Sequence, residues 1–238
     1  MKRSELVVPG GSQPLPTVSA IIPTFNRGHV VGEAVESVLA QTFPDFELII
    51  VDDGSLDNTA ERIAAFKDSR IRYIRQSNAG VAAARNRGAV EAHGRMLSFL
   101  DSDDLWKPEK LAREVGFLNA HPEVHAVFSD LEERFLEGST IPSFARQSPC
   151  LGKWIGDRSF PDGVIVPQRE ANLMLLNEVP LKPTAFTIRK DVFDQLGGGY
   201  GKEWEPSEDW EFFLRFSKKY MFGYLDHPLA ILRPSSDS

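Results

Sequence analysis

Between residues 18 and 129, short runs rich in β-branched and aromatic residues alternate with stretches of helical period, and this rhythm constrains the fold more than any single motif. Residues 18–22 read as a buried strand stopped by Pro23. Val30, Val31, Ala34, Val35, Val38 and Leu39 then share one helical face within residues 29–39. Residues 46–51 are a second strand. Residues 59–66 are a helix opened by Asn58 with Glu61 three positions on, a capping-box pattern. A third strand covers 71–75, an Ala-rich helix 81–92, and a fourth strand 96–100 that runs into acidic residues. Pro108 suits a first helical position, the helix ends before His121-Pro122, and residues 124–129 form a fifth strand. Strands separated by helices of this length need right-handed crossovers, so the expected fold is α/β, with a mainly parallel sheet flanked by helices. Ligands of such sheets bind at the carboxyl ends of the strands.

After about residue 136 the rhythm breaks. Residues 137–163 read as a variable loop, followed by a helix over 170–177, a strand over 185–188 and a helix over 190–196. Gly197, Gly198 and Gly199 form a turn. Residues 207–219 place Trp210, Phe213, Leu214 and Phe216 at helical spacing behind Ser207, the expected N-cap. Residues 1–16, with Pro9, Gly10, Gly11, Pro14 and Pro16, read as a flexible arm without the apolar core of a signal peptide. The expected organisation is a single domain behind that arm, with one half over 17–130 and a second over 131–238.

Composition excludes several functions. The net charge of −7 argues against a nucleic-acid binder, which needs a basic surface to neutralise phosphates. No apolar run approaches the roughly 20 residues that span a bilayer. The single cysteine, Cys150, cannot form an internal disulfide, and a cytoplasmic location, with peripheral membrane association left open, is the expectation. After the first strand stands Pro23-Thr24-Phe25-Asn26-Arg27-Gly28, not the Gly-rich turn of a dinucleotide fold. A phosphate-binding Gly-x-x-x-x-Gly-Lys loop and a Gly-x-Ser-x-Gly elbow are also missing from the sequence. His121 and His125 have a metal-like spacing, but Pro122 between them favours a structural loop.

Two strands end in carboxylates, at Asp52-Asp53 and at Asp101-Ser102-Asp103-Asp104, and a parallel sheet puts both on its ligand-binding edge. If the strand continues, Asp101 and Asp103 point the same way and suit Mg²⁺ or Mn²⁺, which would hold a diphosphate. Between the clusters, Asn78-Ala79-Gly80 opens the Ala-rich helix, where free backbone N–H groups favour an anion and Arg85 adds charge.

The ordered series of residues 19–27, Gln41-Thr42-Phe43, residues 47–55, 78–88, and Asp101 to Asp104 with Trp106 and Pro108 resembles the inverting glycosyltransferases of family 2. Ser207-Glu208-Asp209-Trp210-Glu211 with Arg215 resembles that family's Glu-Asp motif. The resemblance implies a GT-A type, Rossmann-like fold in which residues 17–130 bind a nucleotide-sugar and 131–238 carry the acceptor side and the base. It places Phe25 against the nucleobase, with Pro23, Thr24 and Arg27 in the same loop. Asp53 corresponds to the residue that accepts a hydrogen bond from uracil, supported by Asp52. Asn78, Gly80, Arg85 and Asn86 match the segment under the ribose and diphosphate. Asp101, Ser102 and Asp103 match the Asp-x-Asp motif, with Asp103 as direct ligand of Mn²⁺ or Mg²⁺ and Asp101 on the ribose or a metal-bound water.

Asp209 matches the catalytic base, with Glu208 in reserve, and its place at a helix start should favour the ionised form. The implied activity is metal-dependent, inverting hexosyl transfer from a nucleotide-diphospho-sugar, UDP-linked by preference, in polysaccharide or glycoconjugate synthesis. The acceptor is a hydroxyl on a glycan, lipid-linked or small-molecule partner. A non-catalytic nucleotide-sugar-binding domain is the alternative. Two departures stand out: Pro234 to Asp237 follow Arg233 where relatives often carry a metal-binding histidine, and the chain stops soon after, as a minimal enzyme or a fragment would. Residues 137–182, with Phe144, Trp154 and Phe160, are the expected acceptor side, and Gly197 to Gly199 with Trp204 an expected mobile rim.

Overall fold

The alternation of side chains along the first strand divides the molecule into layers. Ala20 and Ile22 join one buried cluster while Ile21 between them joins another, as a strand with helices on both sides requires. The structure, a computed structural model, describes residues 15–233 apart from Gly198, so residues 1–14 of the expected arm and the segment 234–237 lie outside the described residues.

The first half runs β1 (Val18–Thr24), α1 (Val31–Leu39), β2 (Phe46–Asp52), α2 (Thr59–Ala64), β3 (Ile71–Arg75), α3 (Val81–Glu91), β4 (Met96–Phe99), β5 (Leu105–Trp106) and α4 (Lys110–Ala120). The second half runs β6 (Ala126–Arg134), β7 (Thr140–Ile141), α5 (Phe144–Gln147), α6 (Leu151–Ile155), β8 (Val164–Val166), α7 (Gln168–Asn177), β9 (Phe186–Arg189), α8 (Lys190–Gln195), α9 (Glu208–Ser217) and β10 (Phe222–Leu232). One sheet takes the order β3-β2-β1-β4-β9-β6-β10-β5, with β7 on β6 and β8 on β10. The long ladders β1–β2, β2–β3, β1–β4 and β6–β10 are parallel, whereas β9 lies antiparallel between β4 and β6. The result is a mostly parallel mixed sheet. Helices α1, α2 and α4 pack on one face through Val35, Ile63 and Leu111, and α3, α7, α8 and α9 on the other through Ala84, Leu175, Phe193 and Phe212.

Several expectations are corrected. Pro23 does not stop β1, which continues to Thr24. The Ile21 carbonyl accepts from Leu100 on the β4 side, so Pro23 faces the same side just past the end of β4. Its missing N–H therefore costs no ladder bond. The Asn58–Glu61 capping box does not form; Asp57 Oδ1 accepts from the Thr59 N–H at 3.0 Å instead, while its Oδ2 takes the Gly28 N–H at 2.9 Å. Helix α4 starts two residues after Pro108, and Ser207 occupies the N-cap of α9 without a side-chain bond. Residues 137–163 hold α5 and α6 as well as loop. There Trp154 stacks on Phe160 at 5.9 Å and both pack against the core, as Phe144 does on the opposite face. Periodicity does not delimit β10, which ends just before Arg233, because Asp226-His227-Pro228 interrupts its apolar pattern at the point where its register against β6 shifts.

Helix α3 lies close enough to the sheet that Gly88 has no room for a side chain. A Cβ built there falls 2.4 Å from Ile21 Cγ2, inside a fully buried β-branched side chain. Gly88→Ala is therefore expected to destabilise the protein by about 1–3 kcal/mol, the usual cost of overpacking a core. Urea unfolding checks this, and an unchanged midpoint would contradict the close packing.

Candidate active site

The carboxyl ends of β1, β2 and β4 open onto a cleft of about 640 Å³ lined by residues 23–27, Asp53, Asn78, Gly80, Val81, Ala84, Arg85 and residues 101–103. At one end, Phe25 stands 42% exposed after the last residue of β1, an aromatic ring free to stack on a flat ligand. Asn26, with φ 52°, turns the loop so that its Oδ1 accepts from the Leu56 N–H and its own N–H donates to Ser55 Oγ. The loop after β1 is thereby tied to the end of β2.

Asp52 and Asp53 separate by the alternation of the strand. Asp52 is fully buried and lies outside the cleft, accepting from the Tyr73 hydroxyl and from the Ser55 N–H at 2.7 Å. Asp53 lines the cleft and caps the next crossover, accepting from Gln76 Nε2 at 2.7 Å and from the N–H groups of Ala79 and Gly80 at 2.9–3.1 Å. Gly80 follows at φ +91°, a conformation that favours glycine. The open N–H groups expected at the start of α3 are fewer than the sequence implies: Asp53 takes those of Ala79 and Gly80 just before the helix, and Glu205 Oε1 accepts from the Ala82 N–H at 3.0 Å. Two carboxylates of the chain already answer the helix dipole.

Arg85 projects from α3 beneath the cleft and is 4% exposed. It donates to Asp101 Oδ1 at 2.7 Å and to Glu208 Oε1 at 2.8 Å, with its guanidinium 5.2 Å from the Tyr200 ring. Burial works against its charge, but Asp101 and Glu208 more than offset that and raise its pKa. Asn86, one residue on, turns away from the cleft and corrects another expectation. Its side chain donates to the Tyr200 carbonyl and accepts from the Tyr200 N–H, tying α3 to the segment before α9.

Strand β4 ends at Phe99, so Asp101 and Asp103 do not share a strand direction as expected; the Asp104 N–H donates to the Asp101 carbonyl and the acids sit on a turn. Asp101 leans to Arg85, while Asp103 Oδ2 lies 3.8 Å from Arg27 Nε. Ser102 lies between them on the cleft wall. Burial and the charge of Asp101 push the Asp103 carboxyl above its ordinary range, so the turn concentrates negative charge. Two hard oxygen donors at an open cleft suit a divalent cation that completes its shell with ligand oxygens and water. No third His, Cys, Asp or Glu gathers with them into a metal-binding group among the described residues.

Below the turn, buried Thr184 accepts from the Asp101 N–H at 3.3 Å and donates to Asp104 Oδ2 at 2.5 Å. Arg233 completes the support, its N–H donating to Asp104 Oδ1 at 2.9 Å and its Nε to the Asp103 carbonyl at 2.6 Å. The sequence reading missed Thr184, Gln76, Tyr200 and Glu205, since each acts by long-range contact and none sits in a recognisable spacing.

Asp209 occupies the first turn of α9, next to Glu208. Its Oδ1 accepts from the Trp210 N–H at 2.7 Å, and Oδ2 has no hydrogen-bond donor among the described residues. Burial pushes its carboxyl up, aided by the neighbouring charge of Glu208, while the Trp210 N–H, Lys182 and Arg85 act in the opposite direction. The helix start thus does not dominate its ionisation. Glu208 is 5% exposed and committed to Arg85. Trp204 stands exposed on the turn before α9, and Gly199 packs against Asn86 and Phe193. Gly198 is outside the described residues.

A family model described as Glycosyl transferase family 2 matches residues 19–197. The UDP-Glc:alpha-D-GlcNAc-diphosphoundecaprenol beta-1,3-glucosyltransferase WfgD of Escherichia coli is 41% identical over 102 residues, 42% of this chain and 40% of that protein. The putative teichuronic acid biosynthesis glycosyltransferase TuaG of Bacillus subtilis is 42% identical over 106 residues, 43% of this chain and 42% of that protein. The chain thus spans less than half the length of these curated relatives. Residues 1–349 of S. aureus TarS, in complex with UDP-GlcNAc, superpose with a TM-score of 0.72 over 92% of this chain and 59% of that one, at 21% identity.

The Arg85–Glu208 pair is buried at both ends. Arg85→Met should cost about 3–5 kcal/mol, because it strands a buried carboxylate, and adding Glu208→Leu should recover much of that loss. Urea denaturation of the single and double variants checks this; simple additivity of the two losses would show that the pair is not coupled.

Proposed function

The chain belongs to glycosyltransferase family 2, and from that premise we propose that it transfers a sugar, with inversion, from a UDP-sugar to an acceptor hydroxyl in glycan synthesis. The observation that carries this reading is the link from Asp101 through Arg85 to Glu208, which sets the acidic turn of a nucleotide-sized cleft beside the helix that bears Asp209. A pure binding module has no need of a half-buried carboxylate with one oxygen held and the other free. The UDP-GlcNAc complex of TarS and the UDP-Glc specificity in the name of WfgD favour a uridine donor. The base would stack on Phe25, beside Asp53 and Asn78, with Pro23, Thr24 and Arg27 around it and Asp52 fixing the end of β2.

Asp209 Oδ2 accepts the proton of the acceptor hydroxyl as its oxygen forms a bond to the anomeric carbon. On the opposite face the bond from that carbon to the donor phosphate breaks, and the nucleoside diphosphate leaves with the electron pair. Glu208, already bonded to Arg85, keeps α9 in register and is not the base. Asp103 and Asp101 would hold Mn²⁺ or Mg²⁺, which supplies neutralisation of the charge that grows on the leaving diphosphate. Arg27, beside Asp103, contributes a further positive charge on the same wall. Acceptors approach from the side of residues 137–182, where a glycan, a lipid-linked sugar or a small molecule would present its hydroxyl. No helix among the described residues is long and apolar enough to cross a membrane, and a cytoplasmic site with peripheral membrane contact fits this reading.

In a calorimetric and transfer assay with UDP-sugars, Asp209→Asn should abolish transfer, by about 100-fold or more, while UDP still binds. Asp103→Ala should instead weaken UDP binding chiefly when Mn²⁺ is present. Full activity of the first variant would remove Asp209 from its role, and identical titrations of the second with and without Mn²⁺ would remove the metal.

The base must be ionised, so activity falls as pH drops through the raised pKa of Asp209. Lys182 favours the ionised form, and Lys182→Met should move the acidic limb of kcat/KM to higher pH. A pH–rate profile of the variant checks the direction; a shift to lower pH would contradict it.

A further inference from the structure

Each wall of the cleft sets an arginine beside carboxylates. On the α3 wall, the N–H groups of Ala79 and Gly80 go to Asp53, and that of Ala82 goes to Glu205. A Cβ on Gly80 would fall 2.5 and 2.6 Å from the two Glu205 oxygens, so this glycine makes room for the carboxylate as well as for the turn. Glu205 reaches this position from the turn that leads into α9, three residues before Glu208 and four before Asp209. Arg85, the cation of this wall, is already bonded to two carboxylates. Lys182 acts on Asp209 from the acceptor side. The opposite end, with Arg27 and the cation that Asp101 and Asp103 would hold, is where the charge of a diphosphate can be answered.

We propose that the sugar subsite of this cleft takes an uncharged sugar and rejects uronic acids, and that Glu205 is the specificity-determining residue. The inference rests on the nucleotide-sugar reading above. A sugar extending from the acidic turn towards Asp209 passes Glu205 and Asp209, and an acid group on it meets these two carboxylates while Arg85, the guanidinium of that wall, is already bonded to Asp101 and Glu208. Like charges at such separations repel even in a partly solvated cleft. Hydroxyls and amides on an uncharged sugar instead find carboxylate oxygens as hydrogen-bond acceptors.

The test is calorimetric titration of the full chain, at low ionic strength with Mn²⁺, with UDP, UDP-glucose and UDP-glucuronate. UDP-glucuronate is expected to bind about tenfold more weakly than UDP-glucose, a gap that salt narrows. Glu205→Gln keeps an acceptor for the Ala82 N–H and removes only the charge, and it should reduce the gap to about threefold or less; Glu205→Lys should close or invert it. The ratio of the two Kd values is the readout, with UDP as the sugar-free reference. Equal binding of both sugars by the unaltered chain, or a gap unchanged in both variants, overturns the proposal while leaving the donor reading intact. Failure to bind UDP at all overturns the donor reading and this inference together.

Discussion

A guanidinium that is almost fully withdrawn from water holds this site together. Burying a charge is tolerable only when partners replace its hydration, and Arg85 has two, one on the turn after β4 and one on α9. Because both carboxylates must reach the same planar group, the distance between the acidic turn and the start of α9 is set by the size of a guanidinium. Asp209 is adjacent to Glu208, so the same constraint fixes where its carboxylate can stand. Tyr200 roofs the arrangement with its ring near the guanidinium and on Phe212, and Asn86 holds the Tyr200 backbone from α3. Lysine could not replace Arg85, having no fork with which to serve two acids from one rigid plane.

The negative charge gathered around that cation has its own logic. An anion such as a diphosphate is often met at a helix start, but here Asp53 takes the N–H groups of Ala79 and Gly80 just before α3 and Glu205 takes that of Ala82. The helix is therefore stabilised by the chain itself. Negative charge brought by a ligand must be answered from the other wall, by Arg27 and by any cation that the acids of the turn would hold. Asp103, pushed up by burial and by Asp101, marks a spot where added positive charge relieves repulsion.

How much of this could be read from the sequence follows from the range of the interactions. Strands β1 to β4 and helices α1 and α3 were legible because strand alternation and helical period are local. The placement of Phe25, Asp53 and the acidic turn on one edge follows from parallel topology. What failed was what local pattern cannot encode. Asn58 looks like a cap, yet Asp57 one residue earlier satisfies both α2 and the Gly28 N–H. Asn86 looks like part of the donor segment, but its rotation on α3 sends it to Tyr200, 114 positions away. Glu205 carries no signal at all, since its partner Ala82 is 123 positions distant.

Strand β9 enters the sheet between β4 and β6, so the second half is built into the first half's sheet rather than laid over it. The turn that precedes β9 delivers Thr184 beneath Asp101 and Asp104, and Arg233 at the end of β10 grips Asp103 and Asp104 from the other side. The acids at the end of β4 are thus positioned by residues about 80 and 130 places downstream. The parallel first half alone would leave the turn after β4 unsupported and Arg85 without Glu208. The cleft is therefore a product of the whole sheet, and the acids after β4 and the carboxylate of α9 can be brought into register only when both halves have folded together.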